Sequence, residues 1–265
     1  MNTDSRLIAF SRLLQIMDEL REKCPWDQKQ TNETLRQLTI EETYELSDAI
    51  LKNESNSIKE ELGDVLLHIV FYAKIGSEKN EFDITSIINS LCDKLVFRHP
   101  HIYGDTSDDK DLLKVNSEED VKKNWETLKL KEGRKSILGG VPRSLPSMNK
   151  AYRIQEKAKQ VGFEWETKEE VWTKVEEEIN ELKEAIHTST NIEEEIGDVL
   201  FSLVNYARFT NIDPDAALEK CNNKFITRFN FIEEKAKQNN LNIAEMSLDE
   251  MDKYWNEAKL YERKN

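Results

Sequence analysis

Lys168–Phe209 reads KEEVWTKVEEEINELKEAIHTSTNIEEEIGDVLFSLVNYARF, and Glu33–Ile75 reads ETLRQLTIEETYELSDAILKNESNSIKEELGDVLLHIVFYAKI. Each stretch is a pair of helical patterns joined by a short polar turn. The first helix of each pair carries an acidic triplet, Glu177-Glu178-x-x-Glu181 and Glu41-Glu42-x-x-Glu45. The second carries an acidic pair, Glu195-x-x-Asp198 and Glu61-x-x-Asp64. Residues three and four apart share a helix face. Four carboxylates drawn together repel one another unless a cation sits between them. A hard divalent ion such as Mg²⁺, which prefers oxygen ligands, is the natural occupant. With only 8 Gly and 5 Pro in 265 residues, the chain is predicted to be all-α.

Working outward, further helices are predicted at about residues 7–20, 84–97, 118–131, 149–161, 214–238 and 248–261. Residues 99–116, with Pro100, Gly104 and several Asp, read as a loop. EGRKSILGGVPRSLPS, at residues 132–147, gathers Gly139, Gly140, Pro142 and Pro146 and reads as a linker. It divides the chain into an N-terminal helical domain, 1–131, and a C-terminal one, 148–265. The repeat extends beyond the acids. Lys94-x-x-x-Arg98 corresponds to Lys224-x-x-x-Arg228, and Trp125-x-x-x-Lys129 to Trp255-x-x-x-Lys259. Arg98 to Trp125 and Arg228 to Trp255 each span 27 residues. Four elements repeated in one order mark an internal duplication.

Bulk properties narrow the function classes. A net charge of −14 leaves no excess basic surface for a polynucleotide, although a single nucleotide can be held by metal and a few cations. Cys24, Cys92 and Cys221 are isolated and read as reduced thiols of a cytoplasmic protein. The N-terminus lacks a signal-peptide pattern. The longest apolar run, Val65 to Ala73, is too short to span a bilayer, so no membrane partner is expected.

The helices bearing Glu61-x-x-Asp64 and Glu195-x-x-Asp198 are apolar on nearly all sides, which predicts burial. Carboxylates entering such a core need partners or a metal; otherwise they sit at the exposed helix start, where the dipole favours them. Gly63 and Gly197 precede the Asp in both copies, at a cost of roughly 1 kcal/mol against Ala. A close approach by a helix or ligand is one explanation. The Lys/Arg pairs, four apart, suit phosphate oxygens, or else a solvated basic face. Trp255 offers a surface for stacking, or fills a core. Together these features suggest phosphoryl chemistry on a nucleotide without a P-loop, since no G-x-x-x-x-G-K-[ST] is present. His68, four after Asp64, has Ser202 as its counterpart and reads as a core histidine. A single Glu184-x-x-His187 is half of what a di-iron bundle uses. His99 and His101 are too few for zinc.

These motifs resemble the MazG-type nucleoside triphosphate pyrophosphohydrolases in their two-domain form. Cys24-Pro25-Trp26-Asp27, Arg98-His99-Pro100-His101 and Gly140-Val141-Pro142 add to the match, which covers essentially the whole chain. The resemblance implies an all-α fold of tandem helical domains that dimerise into four-helix-bundle-type assemblies. It implies Mg²⁺-dependent hydrolysis of NTPs and dNTPs to monophosphate and pyrophosphate, in nucleotide-pool house-cleaning. The family's metal ligands fall on Glu178, Glu181, Glu195 and Asp198; on that basis Glu177 or Glu178 is read here as the residue that orients water. Its nucleotide contacts fall on Lys174, Glu177, Glu194, Lys224, Arg228, Trp255 and Lys259. A possible second site comprises Glu42, Glu45, Glu61, Asp64, Lys94, Arg98 and Trp125. The C-terminal half is expected to be the main catalytic one. Other readings stay open: a non-catalytic nucleotide sensor or assembly protein, a di-iron protein, or a narrower enzyme for dUTP or phosphoribosyl-ATP.

Overall fold

The computed structural model describes residues 4–104 and 136–262, together with 115, 117, 120, 121, 124, 125 and 128. Most of the expected helix at 118–131, Lys129 included, and residues 132–135 of the expected linker lie outside the described residues. All regular structure among the described residues is helical. The contacts divide the chain into two units, Met1–Trp125 and Glu126–Asn265.

The first unit contains α1 (Ser5–Lys23), α2 (Asn32–Lys52), α3 (Ser55–Glu78), α4 (Ile84–Arg98) and a short α5 (Pro100–Tyr103). The last of these lies where the sequence reads as a loop. Its Pro100 stands in the first helical turn, where a missing N–H costs nothing. α2 and α3 form an antiparallel hairpin, and α1 packs on α3. Met17, Leu35, Val70, Phe71 and Ile75 form the core there, with Phe10, Leu13 and Leu14 packed around them.

The second unit repeats this plan with α6 (Ser147–Lys159), α7 (Lys168–Thr188), α8 (Ile192–Phe209), α9 (Pro214–Gln238) and α10 (Leu248–Glu262). α7 and α8 form the hairpin, α6 packs on α8, and α9 pairs with α10. The duplication reaches the caps. Thr31 with Thr34, and Thr167 with Glu170, form capping boxes that start α2 and α7. Both helices end on a left-handed residue, Asn53 (φ 57°) and Ser189 (φ 56°). The next N–H then reaches back, from Glu54 to the Ala49 carbonyl (3.2 Å) and from Thr190 to the Ala185 carbonyl (3.1 Å). These closures set the register in which the two acidic helices of each half face each other.

The all-round apolar character of α3 and α8 does not lead to all-round burial within the chain. Leu62, Leu66 and Ile69 are 53%, 39% and 44% exposed, and Ile196, Leu200 and Leu203 are 46%, 53% and 41% exposed. Both sets follow the spacing i, i+4, i+7, so each is one stripe along its helix. Gly63 and Gly197 meet no close neighbour either; a Cβ on either finds nothing within 4 Å.

Ser189 bears a strain that Asn53 bears more easily. A left-handed L-residue costs roughly 1 kcal/mol, and Gly returns roughly 0.5 kcal/mol of that through the unfolded chain's entropy. Ser189→Gly is therefore expected to stabilise the protein by about 0.5 kcal/mol in urea unfolding. An unchanged or lower midpoint would show that Ser189 carries no such strain.

Candidate active site

The α7–α8 hairpin brings the acidic triplet and pair to one place. Glu178, Glu181 and Glu195 each offer an oxygen within 4.8 Å of the others. The α2–α3 hairpin does the same with Glu42, Glu61 and Asp64. Each group contains three of the four carboxylates singled out in its half. Glu45 and Asp198 stand outside these groups, yet both act on the neighbouring acids. Burial raises the Glu195 carboxyl above its usual 4.5, and Glu181, Asp198, Glu194 and Glu178 push it further up. Burial also raises Glu61, with Glu45, Asp64 and Glu42 adding to it, and Glu42 rises for the same reasons. One Glu195 oxygen, Oε2, is buried with no hydrogen-bond donor. A crowded set of carboxylate oxygens with few hydrogen-bond donors nearby fits a hard divalent cation.

Glu178 is buried, at 8% exposure, and Lys174 compensates it. The Lys174 ammonium lies 2.8 Å from Glu178 Oε1 and 2.8 Å from Glu177 Oε1, and these hydrogen bonds raise its pKa. Glu194 is exposed on the first turn of α8.

The second unit's basic and aromatic residues form a separate constellation on α9 and α10. Arg228 donates to both oxygens of Glu262, with Nη2–Oε2 at 2.6 Å, and lies 5.3 Å from the Trp255 ring centre. Trp255 in turn packs on Phe225, with ring centres 5.2 Å apart. Lys224 is exposed one turn before Arg228, and Lys259 donates to Asn256 (3.2 Å). In the first unit Lys94 and Arg98 stand one turn apart on α4, and Trp125 meets the His99 ring edge-on at 5.2 Å. His68 is buried beside this unit's acids. Burial lowers its pKa, favouring neutral imidazole, and its Nδ1 has no hydrogen-bond partner among the described residues.

Beside the second cluster lies a cavity of about 600 Å³, bordered at one end by Lys174, Glu178 and Asp198. The sequence reading did not single out its other walls. Gly162, at φ +86°, turns the chain after α6 and brings Phe163-Glu164-Trp165 to the cavity. Arg208 Nη2 donates to Glu164 Oε1 (2.7 Å) and to Asn205 Oδ1 (2.8 Å). Gln155 Nε2 donates to the Phe201 carbonyl (2.8 Å). The visible signal was Asn205 and Arg208 within the otherwise apolar run of α8, since such residues are buried only with partners.

Two segments, residues 30–103 and 166–231, match the MazG nucleotide pyrophosphohydrolase domain. The chain belongs to the MazG nucleotide pyrophosphohydrolase family. This MazG chain is 44% identical over 257 residues to a protein of Thermotoga maritima named nucleoside triphosphate pyrophosphohydrolase/pyrophosphatase MazG, covering 95% of this chain and 96% of that one. It is 39% identical over 264 residues to the Escherichia coli nucleoside triphosphate pyrophosphohydrolase, covering 96% and 98%. It also matches Bacillus subtilis YabN, at 45% over 265 residues, although it spans only 53% of that protein. Both matched segments contain an acidic hairpin. No helix among the described residues is long and apolar enough to cross a membrane.

The raised carboxyl pKa of Glu195 has a sign that can be tested. The folded state holds this proton more tightly than the unfolded chain does. The contribution to stability is therefore full below the usual 4.5 and is lost as pH rises through the higher folded value. Glu195→Gln removes that loss. In EDTA, the variant's melting temperature is expected to gain on the parent's as pH rises from about 4.5 to 7. Parallel pH curves would show that Glu195 senses no carboxylate crowding.

Proposed function

We propose that the protein hydrolyses nucleoside triphosphates, both NTPs and dNTPs, to the monophosphate and pyrophosphate, with Mg²⁺ held by Glu178, Glu181, Glu195 and Asp198. The observation that carries this reading is the carboxylate cluster of the α7–α8 hairpin, in a chain of the MazG family. Free cysteines and the absence of a membrane-length helix among the described residues fit a cytoplasmic enzyme of the nucleotide pool. The catalytic domain is assigned to residues 148–265, with 132–147 as the linker and 1–131 as the N-terminal domain.

A divalent cation, when bound, neutralises the carboxylates and polarises phosphoryl oxygens. The chain's own residues do the rest. Lys224 and Arg228 anchor the phosphates. Arg228 exchanges the two oxygens of Glu262 for two phosphate oxygens, which match the same planar fork. Trp255 braces that guanidinium and the nucleotide. Lys174 and Lys259 add positive charge, and Glu194 adds a contact at the start of α8. Glu177 or Glu178 accepts a hydrogen bond from the attacking water and takes up its proton. The water oxygen forms a new bond to phosphorus, the bridge between the α and β phosphoryl groups breaks, and the bridging oxygen leaves with the other fragment.

The repeated apolar stripes support a homodimer. Leu62, Leu66 and Ile69 on α3, and Ile196, Leu200 and Leu203 on α8, are too exposed for a finished surface. A helical hairpin with one such stripe makes a four-helix bundle when paired with a second copy.

Glu178→Ala is expected to lower pyrophosphate release from NTPs and dNTPs by on the order of 10²–10³-fold, as loss of a key electrostatic contact does. Glu42→Ala, assayed alongside, reads the first half's share of turnover. Unchanged turnover in Glu178→Ala would refute the assignment to the second half. Separately, Leu200→Glu should shift the protein from dimer to monomer in light scattering; a monomeric parent would dispose of the dimer.

A further inference from the structure

His68 is buried in the first unit, at 7% exposure, and its Nδ1 has no hydrogen-bond partner among the described residues. A core histidine, as the sequence suggests, would be hydrogen-bonded. Its place on α3 shows which way the ring faces. Glu61, Asp64, His68 and Tyr72 follow one another at spacings of three, four and four, and so lie on one face of the helix. That face is turned to α2. Glu61 and Asp64 bring oxygens within 4.8 Å of Glu42 on α2, and Tyr72 shares a hydrogen bond with Thr39, also on α2 (2.7 Å). His68 stands between these two contacts, one turn from each. Helical side chains lean towards the N-terminus, so the imidazole leans towards Asp64 and the other acids. Burial lowers the His68 pKa, and Asp64 is the charged group that opposes this, as a neighbouring carboxylate does.

The second unit has no such group. Four residues after its Asp stands Ser202, buried to the same degree, and the Ser202 hydroxyl donates to the Val199 carbonyl (2.9 Å). The cluster of Glu178, Glu181 and Glu195 offers carboxylate oxygens alone. The two hairpins thus repeat the acids and differ in the nitrogen donor beside them.

That difference has a chemical consequence. Carboxylate oxygens suit hard ions such as Mg²⁺. An imidazole nitrogen adds little for Mg²⁺ and much for the later divalent ions, which bind nitrogen more strongly. A set of three carboxylates and one imidazole therefore favours Mn²⁺, Fe²⁺, Co²⁺ or Zn²⁺ over Mg²⁺.

We propose that His68 joins Glu42, Glu61 and Asp64 as a metal ligand, by a rotation of its ring towards Asp64, and that the first half thereby selects a divalent transition-metal ion. The neutral ring offers the lone pair of Nδ1 and keeps its proton on Nε2. The ion gives Nδ1 the partner it lacks and neutralises the three crowded carboxylates. Neither turnover by the first half nor the hydrolase reading of the second is needed for this.

Pulsed electron paramagnetic resonance of bound Mn²⁺ tests it, because a coordinated imidazole nitrogen couples to the unpaired electrons of the ion and a carboxylate does not. The full chain is loaded with substoichiometric Mn²⁺ in excess Mg²⁺. The parent is expected to show the nitrogen coupling, Glu178→Gln to retain it, and His68→Gln to lose it. In calorimetry on the Glu178→Gln background, His68→Gln should weaken Mn²⁺ binding by at least about tenfold and leave Mg²⁺ affinity within about twofold. Four results would each overturn the proposal: no Mn²⁺ bound, Mn²⁺ bound by the parent without nitrogen coupling, coupling that survives His68→Gln, or coupling lost in Glu178→Gln. An unchanged Mn²⁺ affinity in His68→Gln would do the same. Should His68→Gln not fold, Glu42→Gln takes its place, since it removes an oxygen ligand and one charge from the crowded group. It is expected to abolish the coupling, and coupling unchanged in Glu42→Gln would be equally decisive against the site.

Discussion

Crowded negative charge is the constraint on which this structure turns. In each half a helical hairpin holds three carboxylates with oxygens within 4.8 Å of one another. Burial and mutual repulsion raise Glu42, Glu61 and Glu195 together. Such an arrangement persists only because other features hold it. The capping boxes start α2 and α7 at fixed residues, and the left-handed closures at Asn53 and Ser189 return the chain in register. The apolar flanks of α3 and α8 then press the acids together at the expense of their repulsion.

The second half meets the constraint partly from within, through Lys174, which bridges Glu177 and Glu178 at 2.8 Å to each. This leaves Glu195 as the carboxylate with an unsatisfied buried oxygen. The guanidinium suited to phosphate is likewise occupied, by Glu262. Lys174 and Arg228 are thus both paired with carboxylates, whereas Lys259 bonds the neutral Asn256.

The two halves share a plan and diverge in what lies beside the acids. Phe71 and His68 close the space in the first unit, while Asn205 and Ser202 leave it open in the second. The duplication keeps the carboxylates in both halves and changes the residues beside them. The same hairpins also carry the exposed leucine and isoleucine stripes, so the acids and these stripes lie on the same pair of helices.

Much of this was legible in the chain itself. Helical periodicity located α2, α3, α7 and α8 to within about three residues, because caps and apolar spacing are local properties. The acidic spacings, Lys224 and Arg228, and the fixed interval to Trp255 marked the candidate chemistry for the same reason. Four things were not legible there. The short helix at Pro100–Tyr103 formed within an expected loop. The apolar helices α3 and α8 kept exposed stripes, since periodicity counts apolar residues and not the partners available to cover them. Glu45 and Asp198 fell outside their clusters by side-chain placement that spacing does not resolve. The cavity arises where Glu164 meets Arg208 and Gln155 meets Phe201, across 44 and 46 residues of chain. Local spacing along a helix thus determined the acids, the duplication and the fold class. The packing of helices far apart in sequence decided which carboxylates group, what they pair with, and where space for a ligand remains.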